Sequence, residues 1–240
     1  SNVTINSLVV VGGAVLSGHN FSFGSAVPLQ VRSGGSLKVT ANQLTLPTGS
    51  PIEVQGGGSL AFAVAGNSGG ALIVRNGGAF QQLTAQVLSF DSVLVERGGL
   101  LTHASNSTTR SSVLNLAVSG PFDLQAGATI SVKGLGYAGG TANGSGYGPG
   151  AGIYGGDGSG AGHGGAGGRG SSGAGGGAAY DNTTSPTDLG SGGGSSYNSA
   201  VGGSGGGAAL ITVGGTFSLN GVINAGGNDG VRSPQDYGSG

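Results

Sequence analysis

The sequence has 240 residues, of which 59 are glycine and only 7% are charged, with no cysteine, no methionine and a formal net charge of −1. Without cysteine there is no disulfide, no zinc–thiolate site and no thiol nucleophile. The charge balance argues against a nucleic-acid partner, which calls for a basic patch or stripe, and the apolar runs, such as Leu8 to Val11, fall far short of the ~20 residues of a membrane span.

No basic-then-apolar leader opens the chain. Together with the missing methionine, this leads us to expect a segment of a longer protein. Ser, Thr, Asn and Gln carry the polar load, and such side chains pair along a sheet surface. Composition, rather than any signal, is the ground for expecting an extracellular or cell-surface location.

Residues 1–133 repeat. A glycine pair recurs at Gly12-Gly13, Gly34-Gly35, Gly57-Gly58, Gly77-Gly78 and Gly98-Gly99. The interval is nearly constant and lies within the range of stacked structural repeats. A weaker copy, Ala126-Gly127, follows after a longer interval, and another pair, Gly214-Gly215, stands far downstream. Each pair reads as a tight corner with at least one glycine at positive φ. Four residues before the second glycine stand Val9, Val31, Val54, Val74 and Val95, with Ile211 in the last copy. Two residues after it stand Val15, Leu37, Leu60, Phe80 and Leu101, with Phe217 in the last copy; six before it stand Leu29, Ile52, Leu72 and Val93. Polar residues such as Gln30, Arg32, Glu53, Gln55, Arg75 and Glu96 lie between them. This period-two alternation sets one inner and one outer face, with Ile73 and Leu94 at outward positions.

An antiparallel meander, sandwich or β-prism rarely places the same residue type at the same offset in five successive units. A leucine-rich repeat has this length, but its helical or Asn/Cys signature is missing. A solenoid stacks each turn on the last and produces such columns directly. The expected fold is all-β, a parallel β-helix (β-solenoid) with coils of about 20–23 residues, five or six of them within residues 1–133. Each coil would rise about 4.8 Å.

From Gly134 the character changes: residues 134–208 hold 32 glycines, and the apolar columns vanish until Ala208 to Val213 and Thr216 to Ile223. Residues 134–208 are therefore read as a glycine-rich insert, packed on or projecting from the solenoid, and residues 209–240 as returning coils. The insert reads either as a flexible low-complexity loop or as an ordered glycine sheath of closely packed extended backbones. Five of the six tyrosines, Tyr137, Tyr147, Tyr154, Tyr180 and Tyr197, fall here and favour order, since each ring can pack over glycine backbone.

The stretches Lys133 to Gly140, Gly144 to Gly152, Ser185 to Gly194 and Gly202 to Gly227 resemble a glycine-rich segment found repeatedly in large secreted and cell-surface β-helix proteins of adhesin-like and autotransporter-like kind. With the preceding coils, the resemblance covers nearly the whole chain. It implies a β-helix outside the cell and no assigned activity.

Sugar sites commonly join an aromatic platform to short polar groups. Tyr137, Tyr147, Tyr154, Tyr180 and Tyr197, with Asp157, His163 and Asp188, supply both, and form the candidate ligand-binding set; Asp181 and Asn182 add to it. Asp157-Gly158 and Asp181-Asn182 are equally ordinary turn dipeptides. A calcium β-roll would repeat GGxGxDxUx in tandem; Gly155 to Gly160 is close in letters, wrong in spacing and unrepeated. No metal or other cofactor is expected.

Catalysis is the rival class by fold analogy alone. Glycoside hydrolysis needs paired carboxylates on one face, but Glu53 and Glu96 are out of register and two coils apart, and with Asp91 and Asp123 they read as solvated outer-face charges. Arg32, Arg75, Arg97, Arg110 and Lys38 are spread along the coils. His19, His103 and His163 share no metal-site spacing. The chain is thus read as a non-enzymatic structural or adhesive scaffold, or else as a glycan- or receptor-binding tip using the insert. Its expected partners are other copies of itself, flanking domains of a larger surface protein, or cell-surface glycans.

Overall fold

A computed structural model of the protein describes residues 1–24, 29–47, 49–64, 67–141, 143–171, 173–197 and 200–231. The chain forms two compact units. Unit 1 comprises Ser1–Ala104, Ser112–Ser131 and Ala209–Asn224; unit 2 comprises Ser105–Ser111, Val132–Ala208 and the chain from Ala225 onward. The last strand among the described residues ends at Asn224, and the end of the expected returning segment, residues 232–240, lies outside the described residues.

Among the described residues, unit 1 is a parallel β-solenoid of seven coils with three strands each. The first coil holds β1 (Asn2–Ile5), β2 (Leu8–Val10) and β3 (Gly13–Ser17); the second β4 (Asn20–Phe23), β5 (Leu29–Val31) and β6 (Ser36–Thr40); the third β7 (Gln43–Thr45), β8 (Pro51–Val54) and β9 (Ser59–Phe62). The fourth holds β10 (Asn67–Ser68), β11 (Ala71–Val74) and β12 (Ala79–Gln82); the fifth β13 (Leu88–Phe90), β14 (Ser92–Val95) and β15 (Leu100–His103). The sixth holds β16 (Leu114–Val118), β17 (Phe122–Leu124) and β18 (Thr129–Ser131), and the seventh, beyond the insert, β19 (Ala209–Val213), β20 (Phe217–Leu219) and β21 (Val222–Asn224).

Each strand bonds in parallel to its equivalents in the neighbouring coils. One wall runs β2-β5-β8-β11-β14-β17-β20 and another β3-β6-β9-β12-β15-β18-β21. The third wall is made of two sheets, β1-β4-β7-β10 and β13-β16-β19. At the break, the Asn67 side chain stands in for backbone, donating to Ser89 O at 2.5 Å and accepting from Ser89 N at 2.8 Å.

Alternation along each strand becomes stacking between coils. Leu29, Ile52, Leu72, Val93 and Phe122 form one inward column, and Val31, Val54, Val74, Val95 and Leu124 a second. Leu37, Leu60, Phe80, Leu101 and Ile130 form a third on the next wall. All of these are at most 2% exposed. Ile73 and Leu94 face outward and pair with each other, half-buried.

The corner between the wall of β2 and the wall of β3 explains the glycine repeat. Gly34, Gly57, Gly77, Gly98 and Gly127 take φ of 73–82°, and the N–H of the following residue donates to the carbonyl three positions back, as from Gly58 to Gln55 and Gly78 to Arg75, both at 2.8 Å. Positive φ at only the third position is the signature of a type II turn, which favours glycine there.

Two copies of the pair stand differently. In the first coil the corner has two residues, Val11-Gly12, where the second coil has four, Arg32 to Gly35. Val10 and Ala14 therefore take the inward columns, pairing with Val31 and Leu37, while Val9 and Val15 face outward at 42% and 62% exposure. Gly214-Gly215 lies at the corner before β20, against Ser119 and Gly120. Ile211 accordingly pairs with Leu116 and Phe217 with Phe122, and the second inward column passes to Leu219.

One inward column turns polar, from Phe62 to Gln82 to His103. Gln82 donates through Nε2 to Gln86 O and accepts at Oε1 from Asn115 N. His103, with no exposure, uses Nδ1 on Ala104 O at 2.7 Å, and its Nε2 has no hydrogen-bond partner among the described residues. Burial pushes the His103 imidazole below its ordinary value, because a proton on Nε2 would be a buried, unpaired charge.

Unit 2 is built of extended glycine segments with almost no regular strand. Three of them close a triangle. Tyr137 and Gly140 donate to Gly190 and Gly193 at 2.9 and 2.8 Å; Gly190 and Gly193 donate to Gly206 and Gly203 at 2.8 and 2.9 Å; Gly205 and Gly202 donate to Tyr137 and Gly140, both at 2.9 Å. Each partner is met every third residue, the period of a polyproline II-type helix, which has no internal hydrogen bonds. A Cβ on Gly139 would lie 1.8 Å from Gly202 O, on Gly192 1.9 Å from Ala138 O, and on Gly205 1.9 Å from Gly190 O. Only glycine permits that spacing, and the insert is an ordered backbone lattice.

Two outcomes test this account. Replacing Gly77 by Ala is expected to lower unfolding free energy by about 1–2 kcal/mol in denaturant titrations, and Gly77→Asn by less, since Asn tolerates the left-handed region better. For His103, the unfolded imidazole binds a proton that the folded one refuses. Stability is therefore full above pH ~6.5 and falls as pH drops below that value. Denaturant midpoints measured across this range should decline, and His103→Gln should remove part of the decline.

Candidate functional site

Within unit 2, the loop from Asp181 to Asp188 closes on its own side chains. Asp181 sits at a φ of 64°. Its Oδ2 accepts the N–H groups of Asp188 at 2.7 Å and Thr187 at 2.8 Å, and its Oδ1 that of Asn182 at 2.8 Å. Asn182 Oδ1 in turn accepts from Thr184 N, Thr184 Oγ1 and Ser185 N. The Asp188 N–H, followed by that of Asn182, lowers the Asp181 carboxyl to about 2, because each bond favours the charged form. His163 Nε2 lies 3.4 Å from Asp181 Oδ2, and its ring faces Tyr180 with centroids 4.7 Å apart.

The two flanking tyrosines rest on glycine. A Cβ on Gly148 would lie 2.6 Å from Tyr137 Cδ2, and one on Gly150 2.8 Å from Tyr180 Cδ1. Tyr180 donates its hydroxyl proton to Leu189 O, and Tyr137 donates to Asp188 Oδ1 at 3.4 Å. Burial raises both phenols, and the Asp188 charge adds to the effect at Tyr137. Arg110 approaches from the Ser105–Ser111 segment of the same unit: Nη2 donates to Thr187 O at 3.1 Å and Nε lies 3.6 Å from Asp188 Oδ1. Asp188 Oδ1 also accepts from Leu189 N at 2.7 Å, whereas Oδ2 has no hydrogen-bond partner among the described residues. Arg110, Tyr180, Asp181, Thr187 and Asp188 line a cavity of about 250 Å³.

Of the sequence-derived set, Tyr137, His163, Tyr180 and Asp188 come together here. Tyr154 and Tyr197 form a pair of their own, edge to face at 5.1 Å, with Tyr197 60% exposed. Asp157 bonds Ser171, and Tyr147 is an exposed ring. Arg110, expected along the regular coils, belongs instead to unit 2. The only trace of this in the sequence is that Ser105–Ser111 interrupts the period-two alternation.

Three other carboxylates, Glu53, Glu96 and Asp91, bond between coils. Arg75 lies between Glu53 at 3.1 Å and Glu96 at 2.5 Å, one coil to either side. Asp91 Oδ2 accepts the N–H groups of Gly70 at 2.8 Å and Gly49 at 3.1 Å. Among the described residues no group of three His, Asp or Glu side chains converges to hold a metal ion, and no helix is long and apolar enough to cross a membrane.

No protein-family model, curated protein or solved structure matches the chain.

Proposed function

We propose that this chain is a structural segment of an extracellular or cell-surface protein, a β-solenoid scaffold that spaces or presents neighbouring parts. The observation that carries this reading is the seven-coil stack, in which two walls run unbroken and each of their interior strands is bonded on both edges. Resistance to extension is then shared along whole walls rather than lodged in one site. The low charge, the absence of cysteine and the resemblance to adhesin-like segments support the location. Antibodies raised against the 240-residue chain should label intact cells of the source organism, and external protease should remove the signal. Labelling only after permeabilisation would count against a surface role.

The unit 2 cavity favours a second reading, recognition of a glycan. A saccharide with vicinal hydroxyls suits it: one hydroxyl accepts from the Arg110 guanidinium, the next donates to Asp188 Oδ2, and the Tyr180 ring offers an apolar wall. On a glycan array the purified chain should bind a restricted set of sugars, and Arg110→Ala should weaken that binding at least about tenfold, the equivalent of one lost charge-assisted bond. An array signal absent in the wild type, or unchanged in the variant, would remove the cavity from consideration.

A further inference from the structure

We propose that Tyr154 and Tyr197 are an oxidative cross-linking site, where a carbon–carbon bond between the two rings staples unit 2 covalently. This goes beyond the scaffold reading and stands apart from it, since the bond forms or fails in the purified chain whatever cell-surface labelling shows. The chain has no cysteine, methionine or tryptophan. Thiols and thioethers are the usual sinks for oxidising equivalents, and without them or an indole a one-electron oxidant is left with the phenols. The same lack of cysteine denies the protein a disulfide, the common covalent brace of secreted domains.

Coupling needs two phenol rings side by side. Among the described residues, Tyr154 and Tyr197 make the only contact between two tyrosine rings, with centroids 5.1 Å apart and planes at 76°. Tyr180 faces His163 instead, and Tyr137 and Tyr147 belong to no ring pair among the described residues. Both rings of the pair belong to unit 2, and main-chain bonds hold their segments together. Tyr197 N donates to Gly156 O at 3.1 Å and Gly155 N to Ser195 O at 3.4 Å. A Cβ on Gly194 would lie 2.1 Å from Ile153 O, so the two backbones are nearly in contact beside the rings. Tyr154 N is fixed in turn by Ser145 Oγ at 3.0 Å. The backbone thus sets the pairing, and rotation about χ1 and χ2 supplies the remaining approach of edge to edge.

The oxidant is hydrogen peroxide turned over by a haem peroxidase. Each phenol gives up one electron and its hydroxyl proton, leaving a phenoxyl radical. The two radicals join through ring carbons ortho to their oxygens. Each newly bonded carbon then loses its hydrogen as a proton, and each oxygen regains one, which restores both aromatic rings. In sum, two tyrosines and one peroxide give one dityrosine and two waters. The product closes the loop from Tyr154 to Tyr197 and restricts the unfolded chain as a disulfide does.

The test treats the full 240-residue chain with hydrogen peroxide and a haem peroxidase at low protein concentration. Dityrosine fluorescence, denaturing gels and mass spectrometry of proteolytic peptides are the readouts. The chain is expected to stay monomeric, to lose the mass of two hydrogen atoms, and to yield the Tyr154 and Tyr197 peptides joined. Tyr154→Phe and Tyr197→Phe, each checked for folding by circular dichroism, should abolish that product, and Tyr147→Phe should leave it unchanged. The wild-type peptide map decides the matter even where a variant misfolds. Once joined, the segment between the two tyrosines should be cut by a nonspecific protease at least about tenfold more slowly, because the closed loop lowers the population of opened chain. Absence of dityrosine, coupling between chains or through other tyrosines, or an unchanged rate of digestion would each overturn the staple.

Discussion

The structure depends on backbone hydrogen bonds between chain segments that run side by side with nothing in the way. In unit 1 these bonds link each coil to the next, and the type II corners at Gly34, Gly57, Gly77, Gly98 and Gly127 let the chain turn at the same place in the second to sixth coils. In unit 2 they run between extended segments that meet a given partner every third residue. The first arrangement tolerates side chains on both faces of a strand and uses them to build a core. The second leaves no room for them, as the Cβ positions within 2 Å of carbonyl oxygens at Gly139, Gly192 and Gly205 show. Glycine content follows this division: among the described residues it gathers mainly at the turns of one unit and fills the extended segments of the other.

The same division decides what can be read in advance. Coil length, the inward columns from Leu29 to Val95 and the outward position of Ile73 are legible because β-branched and leucine side chains report strand periodicity directly. The first coil is misread by one residue because its corner is two residues short, so aligning glycines displaces Val9 and Val15 onto columns that belong to Val10 and Ala14. Gly214-Gly215 misleads similarly, being a glycine pair at a different corner. The three-residue period of unit 2 is invisible because a segment without side chains has no pattern to show. Arg110 escapes for another reason: its partner Asp188 lies far along the chain, and only the fold brings them within 3.6 Å.

The cluster around Asp188 also shows how few side chains such a lattice needs to acquire chemical character. Two tyrosine rings lie against glycine backbone, and Asp181 holds its loop through three backbone N–H groups. The polar groups are thus fixed by main-chain geometry rather than by an apolar core, so the short loop from Asp181 to Asp188 can hold Asp181, Thr187 and Asp188 in register beside Arg110.

The position of the insert has a kinetic consequence. Coils one to four join partners a single coil length apart in the chain, for example Asn2 with Asn20 and Leu29 with Ile52, so the stack grows by closing short loops. The seventh coil must find its partners across the whole insert, Leu116 with Ile211. By the logarithmic law of loop closure that step costs about 1.3 kcal/mol more than a step of coil length. The last turn is therefore the slowest to be laid down and the first to fray, so the connectivity of the chain leaves the solenoid loosest at the coil that follows the insert.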